Sequence, residues 1–288
     1  MTNLNLKCDY YHDLLINLFS FLHKNQMEIA GYIAAALIGV SLGLIGGGGS
    51  ILTMPVLVYL FRVSPSLATS YSLFVVGSTS LVGAVNNYKK GLVSIKTALL
   101  FGLSSIGTVF LTRKYFIPLL PKNIVIGSLN ISESFFIMCL FAVLMVFASV
   151  SMIRNNTKEN ADTVSESKIN LSKLFFYGIA IGIVTGLLGA GGGFLLIPAL
   201  VLLGNIPMKE AIGTSLLIIA MNSLIGFTGD LGHFEIDWLF LGRITSIAIA
   251  GIFAGSYIGK KISGEKLKKA FGWFVLIMGI YIIIKELF

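Results

Sequence analysis

Charge is scarce in this chain: Asp, Glu, Lys and Arg make up 12% of its 288 residues, against about 25% in soluble domains. That scarcity argues against a water-soluble globule. Cysteine is nearly absent too. Cys8 and Cys139 stand far apart, with no CxxC spacing and no histidine cluster nearby, so neither a disulfide framework nor a zinc site is indicated. The sequence has no HExxH pair, no GxSxG elbow and no GxxxxGK[ST] loop, which removes the zinc hydrolase, the serine hydrolase and a self-contained ATP motor. No cofactor motif is recognisable, and the reading is of a protein that is not an enzyme. The formal net charge is +8, but its Lys and Arg are scattered between apolar runs, as in membrane topogenic loops rather than on a nucleic-acid-binding face. The charge-free runs contain no Asp or Glu, so the sequence offers no intramembrane carboxylate relay.

What is abundant is hydrocarbon. Hydrophobic residues reach 56% and the mean hydropathy is +0.90. The apolar runs lack the short alternation of an outer-membrane barrel, and a lipid-exposed backbone must satisfy its own hydrogen bonds, so they read as helices. With about 20 residues needed per crossing, candidates are 29–61, 63–88, 97–112, 134–153, 174–208, 211–229, 238–259 and 270–284. The expected fold is an all-α polytopic transmembrane bundle of about eight spans. Residues 1–27 mix Lys7, Asp9, Asp13 and Lys24 with a short apolar patch; they do not resemble a cleavable signal peptide and are expected to lie along the membrane surface. Residues 28–153 then form a first membrane repeat, 154–173 a polar linker rich in Asn, Ser, Lys and Glu, and 174–288 a second repeat.

The duplication is visible by eye. The stretch GLIGGGGSILTMP from Gly43 to Pro55 matches GLLGAGGGFLLIP from Gly186 to Pro198 without a gap, and Ala68-Thr69-Ser70 is echoed by Gly213-Thr214-Ser215 after a two-residue slip. Whether the halves are parallel or inverted depends on whether the glycine-broken segment crosses once or doubles back. Lys89 and Lys90 contrast with the acidic Asp230, Glu235 and Asp237 at the matching loop, which favours inversion; Arg113, Lys114 and Lys122 argue the other way.

Consecutive glycines inside hydrocarbon weaken a helix by about 1 kcal/mol each relative to Ala, and the freed backbone must face protein or a polar cavity. A helix restarting near Ser50 or Phe194 would aim its N–H groups and positive dipole end at the break, which suits an anion without any Arg. Gly46, Gly47, Gly48, Gly49 and Ser50, with Gly191, Gly192 and Gly193, are therefore candidate substrate-binding residues, and Pro55 and Pro198 are candidate supports of the break. The alternative role of such glycines is close helix packing. Thr69, Ser70, Thr214 and Ser215 add hydroxyl donors that would complete an anion cage, or else cap helices and bond back to carbonyls. Asn222 reads as an interhelical hydrogen bond. Arg243, near the end of its span beside Trp238, reads as snorkelling to the interface. Asp230, His233, Glu235 and Asp237 lack metal-ligand spacing and read as a solvated loop.

The paired segments GLIGGGGSILTMPVLV and GLLGAGGGFLLIPALV, each followed by ATS or GTS, resemble the sulfite exporter TauE/SafE family, also described as toluene-sulfonate uptake permeases. The resemblance runs from about residue 31 to 288. It implies a bacterial inner-membrane permease for small sulfur-containing anions such as sulfite or sulfonates, in export or import, with the anion and membrane lipid as partners and no nucleic acid; a homo-oligomer is compatible with it. An uncoupled anion channel and a membrane assembly factor are the other readings.

Overall fold

A computed structural model describes residues 28–119, 123–126, 129–154, 171–188, 193, 196, 197, 200, 206–259 and 264–287. The amino-terminal segment expected at the membrane surface, most of the polar linker, and Gly191, Gly192, Phe194 and Pro198 of the second break lie outside these residues. Helix α1 covers Glu28–Ile45. It is followed without interruption by a 3-10 stretch Gly46–Leu52, a single α-turn Thr53–Pro55 and a wide π-turn Val56–Leu60. Then come α2 (Pro65–Tyr88), α3 (Ile95–Leu111, prolonged by a π-turn Thr112–Phe116 and a last turn Ile117–Leu119), α4 (Glu133–Arg154), α5 (Leu171–Leu188), α6 (Met208–Asp230), α7 (Trp238–Ile258) and α8 (Gly264–Leu287).

The expected helical architecture holds. Among the described residues, five helices are long and apolar enough to cross a membrane, namely Glu28–Ile45, Pro65–Tyr88, Ile95–Phe116, Lys209–Asp230 and Trp238–Ile258, and shorter apolar helices occupy Gly49–Leu60, Ser134–Phe147 and Phe175–Leu188. One feature was not expected: Asn123–Ile126 and Leu129–Ser132 pair as a small antiparallel hairpin ahead of α4. Large apolar side chains such as Leu103, Phe147, Phe176 and Leu239 stand outward, more than 60% exposed, while Ser, Thr, Asn, Arg and Asp side chains are buried. That distribution suits a hydrocarbon solvent.

Two irregularities follow from local chemistry. Gly46 takes a left-handed backbone conformation (φ 72°), open to glycine at little cost, and there α1 ends and the chain reverses. The broken segment then returns along α1: Gly49 packs against Ser41 and Leu42, and Phe61 against Gly31. Pro55 and Pro118 each lack the N–H that an α-helix would use; one π-turn starts directly after Pro55 and the other ends two residues before Pro118. The far end of the broken segment is tied to α8, where the Tyr59 hydroxyl donates to Glu286 at 3.0 Å and Lys285 Nζ sits 3.8 Å from the Tyr59 ring centre.

Packing directions can be read from the glycines. On the pair formed by α2 and α6, Gly77 lies on Leu224, Gly83 on Leu216, Gly226 on Leu73 and Gly213 beside Asn87, so these helices run antiparallel. In contrast, α1 runs parallel to α7, with Gly39 on the Ala248 backbone and Gly43 on Ile252 and Gly255. Likewise α5 runs parallel to α3, with Gly178 on Ser104, Gly182 on Ser105 and Gly186 on Thr112. Backbones approach this closely only where small residues permit it.

Candidate functional site

The described parts of the two glycine breaks meet one another. A Cβ built on Gly47 would collide with the backbone of Gly193, and one on Gly193 would strike Gly47 and come within 2.6 Å of Ile219 Cδ1 on α6. Gly46 lies against Ile212 and Ser215 of α6. The first helical turn after the break starts at Gly46 itself rather than near Ser50, because the left-handed glycine lets the 3-10 stretch follow α1 directly. Ser50 spends its hydroxyl proton on Gly47 O at 2.8 Å.

The two Thr-Ser pairs are not gathered into one cage: Ser215 lies beside Gly46, and Thr69-Ser70 lies far from it. Because α2 and α6 run antiparallel, Thr69-Ser70 stands at one end of that pair and Thr214-Ser215 at the other, on the order of 20 Å away by a rise of about 1.5 Å per residue. Thr69 Oγ1 donates to Ser66 O at 2.7 Å and Ser215 Oγ to Ile212 O at 2.8 Å. Thr214 Oγ1 accepts the Ser94 backbone N–H at 2.9 Å at the start of α3.

Between those ends lies a polar layer that the sequence reading passed over. Thr79 and Ser80 of α2 and Ser223 of α6 are fully buried, and none of their hydroxyls has a hydrogen-bond partner among the described residues. Thr79 and Ser80 on α2 and Asn222 and Ser223 on α6 all fall between the contacts Gly77 to Leu224 and Gly83 to Leu216. Asn222 Oδ1 accepts from Ser105 Oγ of α3 at 2.9 Å, the interhelical bond expected of it, but its Nδ2 is unpartnered. Ser72 of α2, Thr53 of the broken segment and Thr185 of α5 bring further unpartnered, buried hydroxyls. Native interiors leave few polar groups in this condition. Such a layer can donate and accept hydrogen bonds with something that is not protein.

The second unexpected cluster sits at the Thr69-Ser70 end. Arg113, expected in a loop, is 0% exposed, and Asp230, expected to be solvated, is 1% exposed. Arg113 Nη1 lies 3.3 Å from Asp230 Oδ2 and donates to Thr69 Oγ1 at 3.0 Å, and Ser70 Oγ donates to the same Asp230 oxygen. The π-turn Thr112–Phe116 puts Arg113 inside while Lys114, Tyr115 and Phe116 remain exposed, and Gly229 beside Arg113 Cβ lets α6 come close. A buried carboxylate therefore does exist, at the last residue of α6, contrary to the expectation from charge-free runs. His233, Glu235, Asp237 and Arg243 are exposed, as expected. No group of His, Cys, Asp and Glu suited to a metal occurs among the described residues.

The family model for the sulfite exporter TauE/SafE matches residues 32–282. A probable membrane transporter protein of Xylella fastidiosa (strain 9a5c) is 30% identical over 254 residues, which cover 87% of this chain and 92% of the relative. The probable membrane transporter protein YdhB of Bacillus subtilis is 26% identical over 230 residues, 79% of this chain and 86% of the relative. A relative of the same description from Methanocaldococcus jannaschii is 25% identical over 266 residues, 88% and 94%. No solved structure matches. The helices, their outward apolar faces and this match over most of the chain together make it a multi-pass membrane transporter, and the chain belongs to the sulfite exporter TauE/SafE family.

Proposed function

We propose that the protein is a permease for small sulfur-containing anions, sulfite or short sulfonates, which pass along the α2–α6 interface through the buried hydroxyl layer. The observation that carries this is the set of unpartnered polar atoms of Thr79, Ser80, Asn222 and Ser223 at the middle of that pair. In hydrocarbon each orphaned polar group is costly, and a passing oxyanion or its water would supply the missing partners. The family's description supports sulfur oxyanions as the class.

The same reading takes residues 28–153 and 174–288 as inverted repeats. Supporting it, the matching helices α2 and α6 run antiparallel, the matching glycines Gly39 and Gly182 rest on the matching residues Ala248 and Ser105, and the broken segment doubles back along α1. A transporter of this build alternates by rocking one repeat against the other around a central site. The contact of Gly47 with Gly193 is then the central closure, and transport requires the two breaks to part.

Purified protein in liposomes tests the function. Saturable uptake of sulfite, competed by methanesulfonate and unaffected by chloride, is the expected result; uptake of none of the sulfur oxyanions contradicts it. Conductive, non-saturating flux would favour the channel reading instead.

A further inference from the structure

Arg113 is only partly used by its neighbours. Its Nη1 serves both Asp230 and Thr69, while Nε and Nη2 are buried without a partner among the described residues. A guanidinium offers a fork of parallel N–H groups that matches two oxygens of a carboxylate, sulfonate or similar oxyanion. Here the fork is left open, and a single nitrogen holds the carboxylate.

A purely structural role fits poorly with the other half. By the spacing that relates Gly43 to Gly186 and Pro55 to Pro198, the counterparts of Arg113 and Asp230 are Ser256 and Asn87. Both are neutral, yet α1 packs on α7 there as closely as α5 packs on α3. The repeat closes without an ion pair at that end, so packing alone does not explain the charges at this one. Position matters as well. Asp230 is the final residue of α6 and is followed by exposed Leu231, Gly232 and His233, so its carboxylate has a short route to solvent. Arg113 lies in a π-turn, a local irregularity that often accompanies functional sites.

We propose that Arg113 is an oxyanion-binding residue of the transport path, and that Asp230 occupies its guanidinium as an internal stand-in until a substrate oxyanion exchanges for it. Ser70 and Thr69 are the neighbouring hydroxyls that such an anion meets. The inference rests on the transport reading above and adds to it the residue that recognises the anion at one end of the path.

The test uses the full-length protein, with sulfite and methanesulfonate as probes, in binding titrations and liposome flux. Asp230→Asn removes the internal competitor. It is expected to bind the probes about tenfold tighter, to release them more slowly, and to gain thermal stability from added anion more steeply than the wild type. The neutral double variant Arg113→Gln/Asp230→Asn, which leaves no lone buried charge, is expected to stay folded but to lose at least tenfold in affinity. If the double variant keeps wild-type affinity and flux, or Asp230→Asn binds the probes more weakly, the inference fails while the permease reading stands. If the wild type neither binds nor carries either probe, both fail.

Discussion

Nη1 of Arg113 lies 3.3 Å from Oδ2 of Asp230, joining the end of α3 to the end of α6 with both side chains removed from solvent. Removing one partner of a buried pair leaves an uncompensated charge, which typically costs about 3–5 kcal/mol. Asp230→Ala is therefore expected to lower the unfolding midpoint in detergent sharply, and adding Arg113→Gln is expected to recover most of the loss. Thermal unfolding followed by circular dichroism checks this; a single variant as stable as the wild type would contradict it.

The pair also explains where sequence reading stopped. The apolar helices and the first glycine break were legible because they depend on local composition: long apolar runs, and a glycine-rich motif from Gly43 to Pro55 whose sequence recurs without a gap from Gly186 to Pro198. In the sequence Arg113 closes a charge-free run, which marks it as a loop charge that bears on orientation. Its burial depends on the π-turn and on Asp230, far away in sequence, and neither leaves a local trace. Thr79 and Ser80 were overlooked for a different reason. Isolated hydroxyls in a transmembrane helix ordinarily bond back to a carbonyl, and only the fold reveals that these do not. The echo of Ser80-Leu81-Val82-Gly83 in Ser223-Leu224-Ile225-Gly226 was the available signal.

With Arg113 paired to Asp230, one of the three charges that argue against inversion is accounted for, and Lys114 and Lys122 remain. The antiparallel arrangement of α2 and α6 puts the Lys89-Lys90 turn and the turn from Asp230 to Asp237 at opposite ends, and positive residues favour the cytoplasmic side. In a background lacking Cys8 and Cys139, a cysteine at Lys89 is expected to react with a membrane-impermeant thiol reagent only from the cytoplasm, and one at His233 only from outside. Labelling of both from the same side would rule out the inverted arrangement.

Glycine substitutions separate close packing from empty space. Gly47→Ala puts a methyl into the Gly193 backbone, and overpacking of this kind costs about 1–3 kcal/mol; flux is expected to fall with stability. Gly107→Ala and Gly242→Ala meet nothing within 4 Å and replace a poor helix former, so expression and flux should be retained, with a gain of up to about 1 kcal/mol. Liposome flux and unfolding midpoints measured side by side give the comparison, and an active, stable Gly47→Ala would show that the breaks need not meet.

The most direct measurement is sulfite flux through Thr79→Val, Ser80→Ala and Ser223→Ala, read together with their unfolding midpoints. Each substitution removes a buried hydroxyl that has no protein partner, so stability is expected to hold or rise. If these hydroxyls receive the anion, flux falls about tenfold or more, because a hydrogen bond to a charged group contributes roughly 1.5–3 kcal/mol. Lower flux in a protein at least as stable as the wild type is the result expected of a path through the α2–α6 layer. Wild-type flux in all three variants would place the path elsewhere.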